Sequence, residues 1–178
     1  MLQLTIPLTH EGWDEVKEEF VEAKVQVLRL EHSLVSLSKW EEKWCKPFLS
    51  NTEKTSEETL DYIKCMTVTN NVPEEVYEHL TESNVNEILE YINAPMTATT
   101  FAKEDDKNTI NGEKITAEIV YYWMISLNIP FECRKWHLNK LITLVRVCSK
   151  KNEPPKKMTA AQRNALNASR KKKHNTKG

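Results

Sequence analysis

The chain has 178 residues, enough for one domain of ordinary size with room for an extension. Hydrophobic residues make up 39% and charged residues 29%, which excludes a disordered composition and supplies a buried core. A net charge of -1 conceals an asymmetry: residues 150–178 hold ten of the 25 basic side chains and one of the 26 acidic ones, so that end carries +9 and the rest -10.

Only three glycines occur, Gly12, Gly112 and Gly178. So few disfavour architectures built on tight β-turns and leave no Gly-rich phosphate loop. No run of about 18 apolar residues exists to span a membrane. The first ten residues, MLQLTIPLTH, lack a basic n-region and a long apolar stretch, so the expectation is neither signal peptide nor anchor. Cys45, Cys65, Cys133 and Cys148 form no CxxC pair and read as reduced, half-buried small hydrophobes rather than a metal or redox site. Trp13, Trp40, Trp44, Trp123 and Trp136 give the chain large apolar bodies for its core.

In chain order, Leu2, Leu4 and Ile6 alternate with Gln3 and Thr5, which predicts a half-buried strand over about 2–6. Aliphatic and β-branched residues predict a second strand over 25–30. Between them, Trp13, Val16 and Phe20 have helical spacing, while Glu19–Val21 also suits a strand edge, and both readings stay open. Ser38-Lys39-Trp40-Glu41 fits a capping box, with Leu37, Trp40 and Trp44 on one face and Pro47 as the stop. Thr55-Ser56-Glu57-Glu58 fits another, with Leu60 and Ile63 inward. Pro73 suits a first helical position ahead of Val76, Tyr77 and Leu80. Ser83 is the expected cap of a helix whose inner face is Val85, Ile88, Leu89 and Ile92, ended by Pro95.

Residues 95–113 read as a loop, mobile at Lys103–Gly112. A helix follows over Thr116–Leu127, with Ile119, Val120, Trp123, Met124 and Leu127 apolar. Asn128-Ile129-Pro130 breaks it before a long helix at about Glu132–Ser149, with Trp136, Leu138, Leu141, Ile142, Val145 and Cys148 inward. This αα-hairpin is the expected centre of the core. Pro154-Pro155 detaches the end of the chain, where a short helix is expected over 160–172, marginal in isolation. The prediction is a mainly α, multi-helix globular domain over 1–149 with a small N-terminal β-sheet, and a basic C-terminal extension over 150–178.

Several groups have the residue types of chemistry. Cys133 and His137 stand four apart, a spacing that on one helix presents a thiol and an imidazole together. No further ligand pair and no orienting group accompany them, so a core cysteine beside a surface histidine is preferred. Glu41-Glu42 and Asp105-Asp106 are paired carboxylates best read as solvated charge. Ser33, Ser36 and Ser38 lack the glycines of a nucleophile elbow. The reading is therefore a binding protein, not an enzyme, with no cofactor.

Trp40, Trp44 and Phe48 form an aromatic stripe that serves either core packing or anchoring of a partner. The basic end comprises Lys150, Lys151, Lys156, Lys157, Arg163, Arg170, Lys171, Lys172, Lys173 and Lys177. Three roles remain open for it: a solvated end, docking on acidic protein surface including another copy's body, or contact with a phosphate backbone. It has no aromatic residue to stack on bases, which argues against sequence-specific single-strand recognition.

Five segments together carry a family resemblance: EHSLVSLSKWEEKW (31–44), DYIKCMTV (61–68), APMTATTF (94–101), ITAEIVYYWMISLNIPFECRKWHLNKLITLVRVC (115–148) and ALNASRKKKHNTKG (165–178). They resemble small proteins encoded among the structural genes of tailed bacteriophages and prophages, most nearly the tail assembly chaperones. The resemblance spans most of the chain. It implies a largely helical, non-enzymatic, self-associating protein of the bacterial host cytoplasm that binds tape measure or tail tube proteins during assembly. A structural or connector role in the virion, or packaging of DNA through the basic end, is the alternative. No functional residue of that family maps onto a position here.

Overall fold

The computed structural model describes residues 1–8, 12–14, 19–21, 24–50, 52–101, 114–152 and 160–174. The expected loop segment Lys103–Gly112 and the pair Asp105-Asp106 lie outside them. Helices dominate, with a small antiparallel sheet at the N-terminal end, so the fold is mainly α. The chain divides into two compact units, Met1–Cys148 and Ser149–Gly178.

Strand β1 (Leu2–Pro7) pairs antiparallel with β4 (Val25–Leu30), Leu4 opposite Leu28. The period-2 alternation sends Leu4, Ile6, Leu28 and Leu30 into the core and leaves Gln3 and Thr5 outside. In the segment left open between them, β2 (Gly12–Asp14) pairs with β3 (Glu19–Val21), and Val16 lies outside the described residues. The free edge of β4 is partly covered, because Glu31 N–H donates to the Met66 carbonyl and Val68 N–H to that of Arg29. Such a cover blunts an edge that could otherwise pair with another chain.

Helix α1 spans Leu34–Trp44, five residues earlier than the Ser38 box predicts. Its cap is Ser33, whose hydroxyl accepts from Ser36 N–H, and Cys45 ends it with φ 51°. Helix α2 (Ser56–Met66) begins with the expected capping box, Thr55 and Glu58 each satisfying the other's backbone N–H. Pro73 precedes rather than opens α3 (Glu75–Glu78), and its carbonyl accepts from Val76 N–H. Helix α4 (Glu82–Asn93) is capped by Thr81 in a reciprocal pair with Asn84, not by Ser83. Its buried positions are Ile88 and Tyr91, so Leu89 falls outside the inner face.

Helix α5 (Ala117–Ser126) matches expectation, burying Ala117, Val120 and Met124. The predicted long helix does not form as one piece. A 3-10 helix covers Phe131–Lys135, Trp136 is extended, and His137 makes a bridge with Ser33 before α6 (Leu138–Asn152) begins. Trp136 is consequently exposed rather than inward. In the C-terminal unit, α7 spans Ala160–His174.

The core has two apolar clusters, and the α5–α6 hairpin is not its centre. One gathers the sheet, Trp40 and α2–α4; the other gathers Leu34, Leu37, α5, the 3-10 helix and α6. Helix α1 lends residues to both. An expectation built on apolar content picked α5 and α6, but α1 is the element with neighbours on two sides.

Candidate functional site

The aromatic stripe faces inward. Trp40 is 2% exposed, and its indole N–H donates to the Glu58 carbonyl at 2.9 Å. Phe48 stacks on Tyr62 with centroids 3.9 Å apart and meets Trp40 edge-on. The Trp44 indole N–H donates to Asp61 at 2.9 Å, while Lys43 pairs with the same carboxylate. These three aromatics bind α1 to α2, which is the packing role among the two left open by the sequence.

Glu41 and Glu42 part company. Glu42 is exposed, but Glu41 is buried, and its two oxygens accept from Phe48 N–H and Ala117 N–H, each at 2.7 Å. Ala117 is the first residue of α5, whose own cap residue Thr116 makes no side-chain bond. A carboxylate from α1 therefore caps α5 across the core, satisfying an orphan donor at the positive end of its dipole. Burial raises the Glu41 pKa, the two backbone donors oppose that rise, and Glu118 adds to it. This is a structural carboxylate, not the solvated charge expected.

Cys133 and His137 lie on different pieces of backbone, one in the 3-10 helix and one beyond its end. Cys133 belongs to the second apolar cluster, and burial pushes its thiol pKa up. His137 instead enters a polar seam between the two clusters. Its Nε2–H donates to the Tyr91 carbonyl at 3.0 Å and its Nδ1 accepts from Asn139 N–H at 3.3 Å, so both nitrogens are used by the neutral ring. Asn139 Nδ2 donates to the carbonyls of Ile92 and Ala94. Together they satisfy the carbonyl end of α4 with side chains from the far side of the core.

His32 completes the seam. Its ring centroid lies 5.1 Å from that of His137, and its Nδ1 shares a 2.5 Å hydrogen bond with the Tyr62 hydroxyl. Burial, reinforced by His137, lowers its pKa to about 3. Burial lowers His137 as well. Tyr91 donates its hydroxyl to Glu31 at 2.7 Å. Sequence reasoning passed over His32, Tyr62, Tyr91 and Asn139, because their partners lie 30 or more residues away and no spacing announces them. The Ser33 and Ser36 hydroxyls bond to each other, and that of Ser36 donates to the Glu31 carbonyl. Their hydroxyls serve the turn into α1.

The surface offers different material. Tyr122 is 66% and Ile125 62% exposed on the outer side of α5, and Phe131 and Trp136 are exposed just beyond. Tyr122 and Ile125 stand one turn apart on the same face of α5, while Phe131 stacks on Tyr121 and Lys140 lies over the Trp136 ring. In α7, Arg163, Arg170 and Lys171 are exposed. Lys150 and Lys151 end α6. Lys172 and Lys173 lie on α7, and Lys156, Lys157 and Lys177 lie outside the described residues. The four cysteines are free thiols, with Cys45 exposed. Among the described residues, no three His, Cys, Asp or Glu side chains group to hold a metal, and no helix is long and apolar enough to cross a membrane. No protein-family model, curated protein sequence or solved structure matches the chain.

Proposed function

We propose that this protein acts in tailed-bacteriophage tail morphogenesis, in the host cytoplasm, by holding tape measure or tail tube protein in the manner of a tail assembly chaperone. The observation that carries the binding role is the exposure of Tyr122 and Ile125, one turn apart on α5, with Phe131 and Trp136 exposed in the ten residues after it. An amphipathic partner helix would lay its apolar stripe against these side chains, with tyrosine and tryptophan as anchors. The named partner comes from the resemblance of segments 31–44, 61–68, 94–101, 115–148 and 165–178.

The test is co-expression with the tape measure protein of the same phage, followed by co-purification at several salt concentrations. Wild-type protein captures the partner, and Tyr122→Ser with Ile125→Ser weakens capture by about tenfold or more, as loss of interface anchors does. Absence of a complex at every salt concentration, or capture indifferent to both substitutions, refutes the reading.

The exposed cations of α7 favour a second reading, contact with duplex DNA in packaging or in a connector. Full-length protein would then retard duplex DNA at low salt, and replacing Arg163, Arg170 and Lys171 with glutamine would flatten the salt dependence. No retardation at low salt disposes of it.

A further inference from the structure

The outer face of α4 has apolar surface that its own fold leaves uncovered. Leu89 is 43% exposed and lines a surface cleft of about 520 Å³ with Asn86, Glu90, Asn93 and Ala94. Glu82 lies two turns before Leu89 on the same face, and Glu90 adjoins it. Both carboxylates are exposed, and neither is ion-paired among the described residues. Along the chain the charge around α4 has one sign: residues 65–102 contain six glutamates and no lysine or arginine.

Helix α7 carries the complementary pattern. Leu166 is its one large apolar residue, and Arg163 and Arg170 stand three before and four after it, on the same face. Both arginines are exposed and without an ion pair among the described residues. An apolar point between two cations on one helix meets an apolar point beside two carboxylates on another.

We propose that α7 of one copy docks on the α4 face of a second copy, with Leu166 against Leu89 and Arg163 and Arg170 against Glu82 and Glu90. The two patches differ, so the contact is either reciprocal in a two-fold dimer or runs head to tail, giving a ring where the rotation closes and a chain where it does not. Because the guanidiniums and carboxylates meet at the rim of a wet cleft, association weakens with salt. This goes beyond the partner proposed above and uses none of Tyr122, Ile125, Phe131 and Trp136. Variants that lose self-association therefore keep capture of the tape measure protein, and the two readings fail separately.

Sedimentation equilibrium of the full chain at 50 and 500 mM salt tests it, using wild type, R163E/R170E and E82R/E90R. All four sites are exposed, and circular dichroism checks that helix content is kept. Wild type associates at low salt and its apparent Kd rises at least tenfold at high salt. Each charge-reversed protein is monomeric at the same concentration, and their equimolar mixture associates again, since each supplies the surface the other lacks. The L89E variant also loses association. A monomeric wild type at low salt, which is the outcome if α7 serves another acidic protein, DNA or its own body, overturns the proposal. So does undiminished association of either reversed variant, or a mixture that stays monomeric.

Discussion

Acid should loosen this protein through its buried imidazoles, His32 above all. His32 is 2% exposed and faces the Tyr62 hydroxyl and the His137 ring, and among the described residues no carboxylate bonds to it. Its pKa falls from 6.5 in the open chain to about 3 in the fold. Between those values the unfolded chain binds a proton that the folded one refuses, so stability rises with pH there. The contribution is complete above about 6.5 and is lost as the pH descends toward 3. Linkage puts the loss on the order of 2 kcal/mol between pH 7.5 and 5, or about 1.4 kcal/mol per unit in mid-range. Glu41, whose pKa is raised, works the other way near its own titration, so the His32 share is isolated by difference. Urea unfolding followed by tryptophan fluorescence would be run on wild type and on His32→Gln, whose amide can still meet the Tyr62 hydroxyl. The advantage of wild type over the variant should shrink by about 2 kcal/mol from pH 7.5 to 5. Parallel stability profiles for the two proteins would refute the burial of an uncharged His32.

Two further substitutions test how the elements are joined. Glu41→Ala removes the acceptor for both Phe48 N–H and Ala117 N–H, and should cost about 2–4 kcal/mol in urea unfolding at pH 7, as stranding buried donors does; a loss under about 0.5 kcal/mol would mean that α5 is capped by something else. Thr55→Ala breaks the reciprocal cap of α2 and should cost about 1 kcal/mol by the same measurement, with Thr55→Ser recovering most of it.

The sequence by itself determined the secondary structure wherever the signal was local. Alternation over Leu2–Ile6 and the aliphatic run at 25–30 placed the paired strands, because period 2 puts every second side chain on one face. Thr55 and Glu58 announced the start of α2 because a cap needs only three residues of chain. The charge split is likewise in the composition alone. Where two caps competed, local spacing chose wrongly: Ser38 and Ser83 sit inside α1 and α4, and Ser33 and Thr81 take the caps.

Only the tertiary structure decided how the apolar residues were shared out. Period 3.6 marked Trp136 and Leu89 as inward, yet the bridge from Ser33 to His137 ends the 3-10 helix and turns Trp136 out, and Ile88 with Tyr91 take the inner side of α4. It also decided that Glu41 caps α5 from 76 residues away and that His32, His137 and Asn139 seal the seam between two cores. The physical reason is the same in each case. A buried polar group takes whatever partner the packed chain brings within 3 Å, and nothing in the neighbouring residues records which one that will be.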